Sequence, residues 1–142
     1  MKRSAIIALS ALEVLVIAAA CSPALTPTTF EVVLNGANQV PPNASTAVGT
    51  ANVTVVGNRL AIDGAWDGFD IVEPGPYVHG PAAAGANGPA LFELTYDNAA
   101  RTFEGTFTMN SDQMAYFLAD ELYLVLPSAA YPDGEIRGQL DH

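Results

Sequence analysis

A chain of 142 residues, half of them hydrophobic and 14% charged, is long enough for one domain and too apolar to stay unfolded. Its single cysteine excludes a disulfide-stapled scaffold. With 5 Lys and Arg against 15 acids, nothing can neutralise a run of phosphates, and nucleic acid is excluded as a partner.

Lys2 and Arg3 open the chain, followed by an apolar stretch from Ala5 to Ala20 that is interrupted by Glu13. The uncharged part, Val14 to Ala20, falls short of the ~20 apolar residues that cross a bilayer. A basic start, an apolar middle and small residues at the end predict a secretory signal over residues 1–20. Ala18-Ala19-Ala20 leads directly to Cys21, which resembles a bacterial lipoprotein processing site with Ala18 where leucine is more usual. Lipidation at Cys21 is therefore predicted, with the protein exported and anchored in the cell envelope. The alternative is an ordinary signal peptide followed by an unmodified cysteine. Without residues 1–20 the net charge is -11, no lysine is left, and Arg59, Arg101 and Arg137 are the only permanent cations. Such a surface repels anionic headgroups, which leaves the acyl chains as the hold on the membrane. Residues 21–28, rich in Pro, Thr and Ala, read as a tether, and residues 29–142 as the folded domain.

From Phe30 onward the dominant pattern has period two, as half-buried strands require. Phe30, Val32 and Leu34 share one face. So do Ala47, Gly49, Ala51, Val53 and Val55, then Leu60, Ile62, Gly64 and Trp66. Phe92, Leu94 and Tyr96 form a further set, as do Phe103, Phe107 and Met109. Gly57-Asn58, Asp97-Asn98 and the stretch from Gly80 to Pro89 carry turn residues. Ser111–Asp120 predicts a short helix, with Ser111 as cap, Asp112 at the positive dipole end, and Met114, Phe117 and Leu118 on one face. Leu122 to Leu126 is apolar on both faces, as for a strand in the middle of a sheet. The last strand alternates Ile136, Gly138 and Leu140 against Glu135, Arg137 and Gln139. The whole predicts an all-β antiparallel sandwich or barrel with one short helix.

The tail Ala130-Tyr131-Pro132-Asp133-Gly134-Glu135-Ile136-Arg137-Gly138-Gln139-Leu140 resembles the end of a CHRD domain, the repeat named after chordin. Three other stretches fit the same family in order: Leu34 to Pro42, Val78 to Ala82 with Gly85 to Pro89, and Ser111-Asp112-Gln113 with Leu122-Tyr123. The resemblance covers about residues 29–140. It implies a Greek-key β-sandwich similar to the copper/zinc superoxide dismutase architecture, and an extracytoplasmic binding module. Fold similarity by itself transfers no activity.

Many bacterial members of the family carry a His-x-His-Gly element and a later Val-His-Thr histidine, which together imply a copper or zinc site. Here those positions read Tyr77, His79 and Leu126-Pro127-Ser128, so one imidazole of three is kept; His142 is the only other histidine. Two readings of His79 follow. It centres a reduced copper site with Tyr77 and His142, helped by Met109, Met114 or a carboxylate, or its ring bonds the Gly80–Pro89 loop and no cofactor is held. Superoxide dismutation needs a better-defined metal than either reading supplies. Asp63, Asp67, Asp70 and Glu73 lack the spacing of a calcium loop and read as a solvated acidic edge. Arg137, rare in so acidic a chain, reads as a cross-strand ion-pair partner that fixes register. No nucleophile motif is present, and Cys21 is reserved for lipid. The sequence thus predicts a lipid-anchored module without catalysis, whose partner is a protein or glycan, with a copper protein as the alternative.

Overall fold

The structure, a computed structural model, describes residues 25–142. The signal segment and Cys21 lie outside the described residues. Nine strands and one helix follow in order: β1 (Thr28–Asn35), β2 (Val48–Val56), β3 (Arg59–Asp67), β4 (Tyr77–His79), β5 (Ala90–Glu93), β6 (Thr95–Asp97), β7 (Thr102–Thr108), α1 (Ser111–Leu118), β8 (Tyr123–Leu126) and β9 (Ile136–Gln139). They form one sheet in the order β5-β4-β8-β9-β1-β2-β3-β7-β6, and the strand pairings are antiparallel. The two ends of that order are neighbours in sequence, separated by Leu94 alone. A single extended run therefore bonds β4 at its start and β7 at its end, and the sheet curls into a nearly closed barrel. The fold is all-β, as the alternation predicts.

The interior is the predicted inward face. Val32, Leu34, Val53, Leu60, Ile62, Trp66, Phe103, Leu124, Ile136 and Leu140 are buried in one cluster. Gly57, at φ +60°, supplies the left-handed residue that the tight β2–β3 turn needs. Gly64 faces the Phe103 ring across the β3–β7 pair, and a side chain there would collide with that ring.

Three expectations change. The helix cap is Asn110, one residue before Ser111; its side chain accepts from the Gln113 N–H while the Gln113 side chain accepts from the Asn110 N–H, both at 2.9 Å. Of the predicted apolar face Phe117 is buried, but Leu118 is 64% exposed. Each residue turns a helix by about 100°, so in so short an element Leu118 swings off the narrow stripe that meets the barrel. The third change concerns β9. Both of its faces are buried, because the Gly80–Pro89 loop folds over the outer one.

Truncating the inner face of this strand region should be costly. Leu140→Ala is expected to lower unfolding free energy by about 2–5 kcal/mol in a denaturant titration. Val33→Ala, at a position 55% exposed, should stay within about 0.5 kcal/mol of the parent. Equal effects from the two would contradict the assigned interior.

Candidate functional site

The adjacency β4-β8-β9 determines which side chains meet outside the barrel. Register pairs His79 with Tyr123 and Tyr123 with Gln139, while Arg137 pairs with Val125. Alternate residues of a strand share a face, so Arg137 lies diagonal to Tyr123 on the same side of the sheet as Gln139. The phenol thus receives a neighbour from the strand on each flank. The His79 ring stacks on it with centroids 5.1 Å apart and planes at 16°, and the Arg137 guanidinium carbon lies 3.6 Å from its centroid. The second contact has cation–π geometry.

Arg137 does not form the predicted ion pair. It is 1% exposed, and its hydrogen bonds go to neutral oxygens: Ala86 O at 2.7 Å, Gln139 Oε1 at 2.9 Å, Asn87 Oδ1 at 3.2 Å and Ala83 O at 3.3 Å. The neighbouring acid, Glu135, instead accepts from the Ser45 hydroxyl at 3.1 Å. The covering loop brings its own carbonyls to the guanidinium and closes the face. Burial draws the guanidinium pKa below its ordinary value, with Tyr123 acting in the opposite direction.

The remaining polar groups tie down the same loop. Gln139 Nε2 donates to Ala82 O and Asp120 O, each at 2.8 Å. Asn87 Nδ2 donates to Val40 O at 2.9 Å, joining this loop to the one that follows β1. The Tyr123 hydroxyl accepts from Gly88 N at 2.7 Å and donates to Gly88 O at 3.0 Å. His79 Nδ1 donates to the same carbonyl at 3.1 Å. Because a carbonyl only accepts, the proton sits on Nδ1 and Nε2 keeps its electron pair. Burial lowers the His79 pKa most, the Gly88 bond partly opposes it, and the Arg137 charge lowers it further. The ring is thereby held neutral near pH 7.

A groove of about 610 Å³ runs beside this assembly, between the Gln39–Asn43 and Ala130–Gly134 loops, with His79, Tyr123 and Val125 lining it. Gln39 also lines it; the residue is 7% exposed, and its amide nitrogen has no hydrogen-bond partner. Neither Gln39 nor Tyr123 stood out from sequence as a functional residue. Tyr123 sits in the uniformly buried run of β8, which has no alternation to reveal that its side chain faces the outside of the barrel.

Of the other candidates, Tyr77 stays beside His79 while His142 and Met109 lie elsewhere. Tyr77 meets His79 edge-on at 6.3 Å. His142 has different neighbours: it stacks on Phe117 at 4.5 Å, and its Nδ1 is 2.9 Å from Asp120. Met109 is part of the barrel interior. These residues do not fit the metal that the family resemblance implies, since His79 has one nitrogen to offer and no second imidazole joins it. Among the described residues, no three His, Cys, Asp or Glu side chains are grouped to hold an ion. In the acidic run, Asp70 pairs with Arg101 at 2.9 Å, Glu73 accepts from the Tyr96 hydroxyl at 3.1 Å, and Asp63 accepts from Asn52 at 3.4 Å.

The stretches that carried the sequence resemblance now stand together: Asn35 pairs with Arg137, Asn87 bonds Val40, and His79 stacks on Tyr123. The family model for the CHRD domain matches residues 30–140. The chain belongs to the CHRD family. No curated protein matches it, and no solved structure does. In this CHRD domain the matched region contains the entire barrel from Phe30 on and ends at buried Leu140.

The depressed His79 pKa has a sign that can be tested. The unfolded chain takes up a proton near the ordinary histidine value of about 6.5, before the folded one does, so His79 favours folding above that pH and the benefit fades as pH falls. Melting temperature should therefore drop between pH 7.5 and 5.5, and His79→Asn should flatten that slope. Parallel pH profiles for the two proteins would contradict the assignment.

Proposed function

We propose that this CHRD chain is exported, anchored by lipid on Cys21, and works outside the cytoplasm as a binding module without catalysis. Membership in the CHRD family supports the module reading. The observation that carries it is how the polar side chains are used. Arg137, Gln139, Asn87, the Tyr123 hydroxyl and one edge of His79 all hold backbone in place around a groove. Groups engaged in this way shape a surface; none is left poised against a nucleophile.

The placement of Leu25 accords with the anchored reading. Leu25 lies over the β2–β3 turn, where a side chain on Gly57 would meet its Cδ1 at 3.1 Å. Cys21 precedes Leu25 by four residues in the sequence. β1 runs from Thr28 about 23 Å to Asn35, beyond which Gln39–Asn43 form one wall of the groove. An anchor at Cys21 therefore leaves the groove turned away from the bilayer and open to a partner.

Mass spectrometry of the N-terminus from its native membrane tests the anchor. The expected species begins at Cys21 and carries a diacylglycerol mass, and Cys21→Ser should release the protein from the membrane fraction. An unmodified Cys21 would overturn the anchored reading.

A further inference from the structure

Part of the polar lining of the groove beside Tyr123 is used within the protein, and what is left over suits a ligand. Asn43 donates to Glu135 O at 2.9 Å and accepts from Ser45 N at 3.0 Å. Asn87 is engaged by Val40 O and by Arg137, and Tyr123 by the Gly88 peptide. Among the lining side chains, Gln39 and His79 each keep a group without a protein partner, beside the Tyr131 hydroxyl and the exposed Asp133 carboxylate. Gln39 Nε2 is a donor without an acceptor, in a side chain more than nine-tenths buried. His79 Nε2 is an acceptor, since Nδ1 holds the proton on Gly88 O. One donor and one acceptor suit the carbonyl and N–H of a peptide backbone.

The walls and the charge point the same way. Val40, Pro41, Val125 and Pro132 give apolar contact for the side chains of an extended segment, and Tyr131 adds an aromatic surface. Asp133 is the one acidic residue on the lining and is exposed. The chain beyond residue 20 carries a net charge of -11, which steers cations towards it and repels acidic segments.

We propose that the groove between the Gln39–Asn43 and Ala130–Gly134 loops binds an extended segment of another polypeptide that bears a basic side chain. A backbone carbonyl of the segment meets the Gln39 amide, a backbone N–H meets His79 Nε2, and the basic side chain pairs with Asp133. The soft terminal torsion of Gln39 lets its nitrogen turn towards the incoming carbonyl. This inference rests on the module reading above and names the class of partner for it.

The test uses the full chain, labelled with ¹⁵N and kept in detergent micelles, with three probes: a nonapeptide alternating Val and Lys, one alternating Val and Glu, and maltohexaose. The Val-Lys peptide should move the Gln39 side-chain amide and His79 imidazole signals and bind at least tenfold more tightly than the Val-Glu peptide. Gln39→Met should weaken that binding about tenfold without lowering the melting temperature, because it removes a buried donor that has no partner. Asp133→Asn, at an exposed site, should weaken it severalfold and reduce its salt dependence. Unchanged affinity in both variants would overturn the groove assignment, and the chain would remain a binding module with its site elsewhere. Maltohexaose moving the same signals while the peptides do not would overturn the polypeptide class and leave the module reading intact. Silence from all three probes at millimolar concentration would overturn the proposal outright, while the Cys21 mass measurement stands independently of it.

Discussion

The structure outside the barrel depends on a guanidinium buried without a counter-charge. Removing a cation from water costs several kcal/mol unless hydrogen bonds and favourable dipoles replace the solvent. Arg137 meets that condition with four neutral oxygens and the face of Tyr123. Arginine suits the position because its planar, weakly hydrated head presents five donors and stacks on aromatic rings; a lysine ammonium does neither. Two of the four oxygens are main-chain carbonyls of the Gly80–Pro89 loop. That loop is rich in Ala, Gly and Pro and has few side chains with which to hold itself on the sheet.

The rest of the site follows from the seating of that loop. Gly88 must lie where both the Tyr123 hydroxyl and His79 Nδ1 reach it, and Asn87 must reach Val40 O across to the next loop. The position of one carbonyl then selects the histidine tautomer. Burial above all, with a smaller push from the charge of Arg137, keeps that ring neutral. Electrostatics and loop geometry are in this way one device: the group that fastens the loop also determines what His79 presents to the groove. The unpartnered amide of Gln39 fits the same logic, since a buried donor left open in the free protein is one that a ligand can close.

Much of the barrel was legible because β1, β2 and β3 each bury one face and expose the other. Val32 and Leu34 against Glu31 and Val33, or Leu60 and Ile62 against Arg59 and Asp63, show the period-two pattern directly. The pattern fails where both faces are covered. Tyr123 to Leu126 is buried throughout and has no phase to read, and β9 alternates in composition while being buried on both sides. Apart from Asn87, the cover on that second face binds Arg137 and Gln139 through carbonyl oxygens, which every residue has and which leave no trace in the choice of side chains. The same fact explains the mistaken ion pair. In an acidic chain a lone arginine suggests a carboxylate partner, whereas main-chain acceptors are invisible to that reasoning. Family resemblance reached further than periodicity here, because it singled out the segments around Asn35, His79 and Arg137 that the fold brings together.

A double-mutant cycle on the full chain tests most directly whether the Arg137–Tyr123 contact underlies this arrangement. Unfolding free energies of Arg137→Met, Tyr123→Leu and the double variant are compared with the parent by denaturant titration. If the ring and the guanidinium stabilise each other, the double variant loses about 1–2 kcal/mol less than the sum of the single losses. Losses that add within about 0.3–0.5 kcal/mol would mean that the two side chains act independently, and would contradict the account.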